Sequence, residues 1–139
     1  MGFGPITGKR MAHMYGRELA IWDLFLSSQG DKVRECQYDV HLGIVKCADP
    51  LMSPQDRELW EMLTCKRVDV VFRWDGILYL VEVKDIQNMS GLGQVLCYVH
   101  IWNEEKRPEG PARPLVVCGR LDPDLKGVYV NSHVEVVCV

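Results

Sequence analysis

Residues 67–84, RVDVVFRWDGILYLVEVK, set two runs rich in Val, Ile, Leu, Phe and Tyr on either side of Asp75-Gly76, which predicts two strands joined by a two-residue turn. With those two residues as the loop, Trp74 faces Ile77, Val71 faces Leu80 and Asp69 faces Glu82. Side chains alternate along a strand, so Asp69 and Val71 share a face with Leu78, Leu80, Glu82 and Lys84. Val68, Val70, Phe72, Tyr79, Val81 and Val83 take the other. Both faces are largely apolar, as in a sheet covered on both sides.

The rest of the chain adds helices and strands around this hairpin. After a loose, glycine-containing start at residues 1–9, positions Arg10 to Ser28 read as a helix with Met14, Ile21, Trp22 and Phe25 on one stripe and Gly30 as its stop. Residues 33–46 predict a strand over Gln37–Val45, with His41 or Asp39 on its polar side. Ser53-Pro54 opens a short helix through Leu63, with Leu59, Trp60 and Leu63 turned inward. Beyond Lys84, DIQNMSGLG reads as a polar loop leading to a helix over Leu92–Asn103. Residues 104–114 form a charged, Pro-rich loop. Leu115–Cys118 is a short strand ended by Gly119, Asp122-Pro123-Asp124 starts a short helical turn, and Val134–Val139 is a closing strand. This order implies parallel crossovers and an α/β class.

Composition narrows the picture. A length of 139 residues suits one domain, 1–139, with a single core. A net charge of −3 excludes a polycation, so any nucleic-acid partner would be held by a local basic cluster. The most basic stretch is Lys9, Arg10, His13 and Arg17, which meets phosphates or forms a solvated face. No run approaches a membrane span and the N-terminus lacks a signal-peptide core, so a cytoplasmic protein without membrane contact is expected. Six cysteines with no CxxC spacing argue against zinc or iron–sulfur chemistry and leave disulfides open.

Chemistry concentrates on the hairpin. The Asp69/Glu82 pair is of the closer, non-hydrogen-bonded kind, with Cβ atoms roughly 4.5–5.5 Å apart. Like charges so opposed are destabilising unless a cation lies between them, either a metal ion or the ammonium of Lys84. Glu18 falls in the middle of an apolar helical stripe and needs Arg17, another base or a cation as partner. Gln94 and Tyr98 share one face of the later helix with apolar neighbours.

In their order, Glu18, Asp69, Glu82-Val83-Lys84 and the GLGQVLCY element with Gln94 and Tyr98 resemble the PD-(D/E)xK nuclease superfamily. The Gln-x-x-x-Tyr spacing is similar to its RecB-like branch. Residues 67–137 most resemble the C-terminal nuclease domain of NucS/EndoMS-type endonucleases. Val68 stands where the nominal proline would be, residues 31–66 match nothing nameable, and the separate DNA-binding domain of those enzymes has no counterpart here.

The resemblance implies a restriction-endonuclease-like three-layer fold, an αβββαβ core plus a C-terminal strand. It also implies a metal-dependent DNA endonuclease, structure- or mismatch-specific, acting in repair or recombination. Asp69, Glu82 and the Val83 carbonyl would hold Mg²⁺ or Mn²⁺. Lys84 would orient the attacking water, Glu18 would bind through water or hold a second ion, Gln94 would position the phosphate or Lys84, and Tyr98 would pack beneath. Lys9, Arg10 and Arg17 would touch DNA, and no organic cofactor is called for. Two strands to cut and one site per chain suggest a homodimer. The competing expectation is a nuclease-fold protein that binds nucleic acid or a partner without cutting.

Overall fold

The computed structural model describes residue 14 and residues 16–43, 50–64 and 66–139. Lys9, Arg10, His13, Cys47 and Cys65 lie outside the described residues. In chain order the elements are α1 (Arg17–Gln29), β1 (Val33–Leu42), α2 (Pro54–Thr64), β2 (Lys66–Trp74), β3 (Ile77–Gln87), α3 (Met89–Glu104), β4 (Arg113–Leu121), α4 (Lys126–Asn131) and β5 (Glu135–Cys138). Short 3-10 turns follow α1 and precede α4.

The five strands form one sheet in the order β1-β2-β3-β4-β5. The first three are antiparallel neighbours, while β4 runs parallel to β3 and β5 parallel to β4. The mixed sheet, with α1 and α3 on opposite faces, is the α/β three-layer arrangement expected from the sequence. A loop of two residues can link β2 and β3 only with a tight reversal. Asp75 and Gly76 supply it at φ 49° and 79°, both positive as a type I′ turn requires. The register runs from Trp74↔Ile77 to Val70↔Val81 as read from the turn.

Each face of the sheet has its own core. Ile21, Trp22 and Phe25 of α1 pack on Val70, Phe72, Tyr79, Val81 and Val83, joined by Leu115 and Val117 of β4. Trp22 stacks on Phe25 at 5.2 Å between ring centroids, and both meet Phe72 edge-on. On the opposite face, Trp102 and Tyr98 of α3 cover Val71, Leu78 and Leu80. Farther along, Leu92 and Val95 of the same helix cover Val116 and Cys118.

Several expectations are corrected. The described part of α1 begins at Arg17 rather than Arg10, and Met14 is buried outside it. The first strand starts at Val33, because a bulge at Glu35 and Cys36, with Glu35 at φ 57°, lets Val33 and Arg34 pair with Trp74 and Arg73. Val68 packs with Leu42, Val71 and α3 instead of on the α1 face. Strict alternation fails there next to Asp39, whose φ is 54°.

In α2, Leu59 and Trp60 are exposed rather than inward (49% and 37%). The side chain of Leu63 lies outside the described residues. Neither β3 nor β4 stops where its sequence turns polar or glycine-bearing, since each supplies the other's hydrogen-bond partners through Ile86↔Arg120 and Gln87↔Leu121. Gly119 is accommodated inside β4 because the backbones crowd: a Cβ there would stand 2.9 Å from the Asp85 carbonyl oxygen and 3.2 Å from Ile21. The later helix begins at Met89, capped by Asn88, whose side chain accepts from the Gly91 N–H at 3.3 Å.

Candidate active site

Backbone pairing between β2 and β3 ends at Val70↔Val81, one step short of Asp69 and Glu82. In a continued ladder the next N–H to be paired would be that of Val83. It donates instead to Oδ2 of Asp69, at 3.0 Å. The aspartate thus sits where two strands part, and its carboxylate accepts from the backbone there.

Glu82 is only 3% exposed. Burial in the sheet, reinforced by the neighbouring charge of Asp69, pushes its carboxyl up to about 8 against the pull of Lys84. The Lys84 ammonium meets Glu82 Oε1 at 3.1 Å. Burial works against that ammonium, but Glu82, Glu18 and Asp69 together outweigh it and hold the lysine protonated. A cation therefore already stands against Glu82, one of the two acids.

Two helices close the site from opposite faces. Glu18, in the first turn of α1, is half-buried rather than buried. Desolvation raises its carboxyl, Lys84 draws it down and Asp85 pushes it up again. From α3, the half-buried Tyr98 hydroxyl is raised first by burial and then by the charges of Glu82 and Asp69, so it too lies within reach of the acids. Gln94 acts on the same hydroxyl, while its own Oε1 is buried without a hydrogen-bond partner. An orphaned amide oxygen beside a charged cluster is an acceptor waiting for a donor.

Arg17 does not pair with Glu18; its guanidinium bonds Asp85 at 3.2 Å and is otherwise exposed. Asp85, which its sequence context assigns to a polar loop, joins the site. Its signal was its place directly after Lys84, which alternation turns toward α1, and so toward Arg17 and Glu18. Arg67 lies 3.7 Å from Asp39. Among the described residues no group of three or more His, Cys, Asp or Glu is arranged to hold a metal ion. Two carboxylates with open positions suit a hard ion that keeps several waters, as Mg²⁺ does, better than a caged transition metal.

Glu82 has a consequence for stability. Its folded-state value near 8 lies above the ordinary 4.5, so the unfolded chain releases this proton first as pH rises. Stability of the metal-free protein should therefore fall between about pH 4.5 and 8, with Glu18 contributing in the same sense. Urea denaturation in chelator at pH 5 and pH 8 measures the slope. Glu82→Gln should flatten it, and an equal slope in the variant would contradict the assignment.

No family model matches the chain, and no curated protein matches it. Among solved structures, an EndoMS complex with double-stranded DNA is similar over 95% of this chain and 48% of that one, with a TM-score of 0.51 and 17% identity. A repair endonuclease from Pyrococcus abyssi is similar over 94% of this chain and 49% of that one, with a TM-score of 0.48 and 14% identity. The chain spans about half the length of each. At such identities the likeness to the EndoMS complex establishes a shared fold, the restriction-endonuclease-like arrangement of a mixed sheet between helices. No helix among the described residues is long and apolar enough to cross a membrane.

Proposed function

We propose that this chain is a divalent-metal-dependent DNA endonuclease. The observation that carries the reading is the acid cluster where β2 and β3 part: Glu82 buried, Asp69 half-buried and accepting from the Val83 N–H, and the Lys84 ammonium 3.1 Å from Glu82. Phosphodiester hydrolysis needs an activated water, a stabilised phosphorane and a neutralised leaving oxygen. Asp69 and Glu82, with the Val83 carbonyl, would hold Mg²⁺ or Mn²⁺, which when bound supplies Lewis-acid polarisation of the phosphate and acidifies water.

The chain's own groups divide the remaining work. Lys84, held protonated between Glu82 and Glu18, orients a water by hydrogen bonding and offsets charge that develops on the phosphate. Gln94 offers its unpartnered oxygen to that water or to Lys84. Tyr98 walls the site against bulk solvent from α3. Arg17, exposed but tethered to Asp85, supplies a cation for the backbone of the nucleic acid beside Glu18, with Lys9 and Arg10 in the same basic stretch. Repair of mismatched or branched DNA is the use favoured by the EndoMS-like fold, and a second copy of the chain would provide the second cut.

The test is cleavage of mismatched, branched and flapped duplexes with Mg²⁺ or Mn²⁺. Cutting that stops in chelator supports the reading, and intact substrates under all these conditions sink it. The second reading, a protein of this fold that binds nucleic acid without cutting, is favoured by one observation: the Lys84 ammonium already occupies Glu82 Oε1. It predicts a gel shift that survives Glu82→Gln and no cleavage with either ion.

A further inference from the structure

Two thiols at the β4–β5 edge of the sheet carry an inference independent of the acid pair. Cys118 of β4 and Cys138 of β5 are register partners on adjacent parallel strands, and their sulfurs stand 3.5 Å apart. Neighbouring strands run roughly 4.8 Å apart, inside the Cα separation that a disulfide spans. Closing the remaining gap asks for a small shift, which β5 can make because, among the described strands, it is terminal and pairs only with β4. Cys118 is buried among Val116, Leu125, Tyr129 and Val134, whereas Cys138 is exposed.

We propose that Cys118 and Cys138 form a reversible thiol–disulfide couple, an oxidation site that staples β5 to β4. The oxidant is a small organic disulfide of the glutathione class. The exposed Cys138 thiolate attacks one of its sulfurs, forming a mixed disulfide and expelling one thiolate, which takes up the proton Cys138 lost. Cys118 Sγ then attacks Cys138 Sγ, the mixed S–S bond breaks, and the second small thiol leaves with the Cys118 proton. Two protein thiols are oxidised by two electrons and one small disulfide is reduced to two thiols. Burial and the neighbouring thiol push Cys118 up to about 12, which makes it the resolving partner and Cys138 the first attacker. The couple closes a loop of 20 residues across α4.

The experiment treats the full chain with oxidised glutathione, traps free thiols by alkylation and maps the unreduced digest by mass spectrometry. A peptide joining 118 to 138, the loss of two alkylatable thiols and a melting midpoint raised by roughly 10 °C, reversed by dithiothreitol, are expected. Cys138→Ser should abolish both the link and the shift, and its exposed position keeps this control independent of the core. Cys138 trapped as a lasting mixed disulfide with Cys118 still alkylated would overturn the proposal. So would Cys138 joined to Cys36 or Cys97, or a 118–138 link that leaves the midpoint unmoved.

Discussion

Asp69→Asn is expected to lower single-turnover cleavage by about 1,000-fold or more while the fold survives. The substitution keeps the shape of the side chain and leaves an oxygen able to accept from the Val83 N–H, the contact that pins residue 69 where β2 and β3 separate. What it removes is charge. Without the second carboxylate, the site loses half of its anionic pull on a divalent ion, and the like-charge pressure that helps raise Glu82 disappears with it. The variant should therefore bind Mn²⁺ poorly, cut poorly, and show a Glu82 carboxyl closer to the ordinary range. Cleavage within ten-fold of the parent chain at saturating ion would remove Asp69 from the chemistry.

Lys84→Ala should separate two roles that Asp69 combines. The Lys84 ammonium stands 3.1 Å from Glu82 Oε1, so in the metal-free protein it competes with any ion for that oxygen. Its removal leaves a more exposed demand for positive charge, and Mn²⁺ binding should be maintained or tightened. Cleavage should nonetheless fall by about 100- to 1,000-fold, because the positioned donor for water and phosphate is gone. Titration calorimetry with Mn²⁺ beside single-turnover cleavage reads both quantities on one preparation. A variant that loses ion binding and cutting together would make Lys84 part of the ion's cradle instead. One that keeps both would make it ordinary sheet decoration.

Much of this geometry was written in the chain because the strongest local signal and the chemistry coincide. Asp75-Gly76 fixes the β2–β3 register as far as Val70↔Val81, and just beyond it the Val83 N–H meets Asp69 and the Lys84 ammonium meets Glu82. The spacing of Gln94 and Tyr98 placed them together on α3, and the tyrosine does respond to the two acids. What the sequence concealed depends on partners remote in the chain. The extension of β3 through Asp85 and Ile86 is enforced by β4, and local polarity predicts a loop there. Near Asp39, at φ 54°, Val68 packs toward α3, against simple alternation. The Arg17–Asp85 bridge joins residues 68 apart and left no short-range trace. Each miss is a case in which tertiary pairing overrode a local preference.

Central to the proposed chemistry is that the acids of β2 and β3 jointly hold a divalent ion. A manganese-soaked crystal, read by anomalous scattering, asks this directly. The predicted result is one strong peak bound by carboxylate oxygens of both Asp69 and Glu82, with the Lys84 ammonium displaced from Oε1. A fully soaked crystal with no peak there, and the Lys84–Glu82 contact intact, would contradict it.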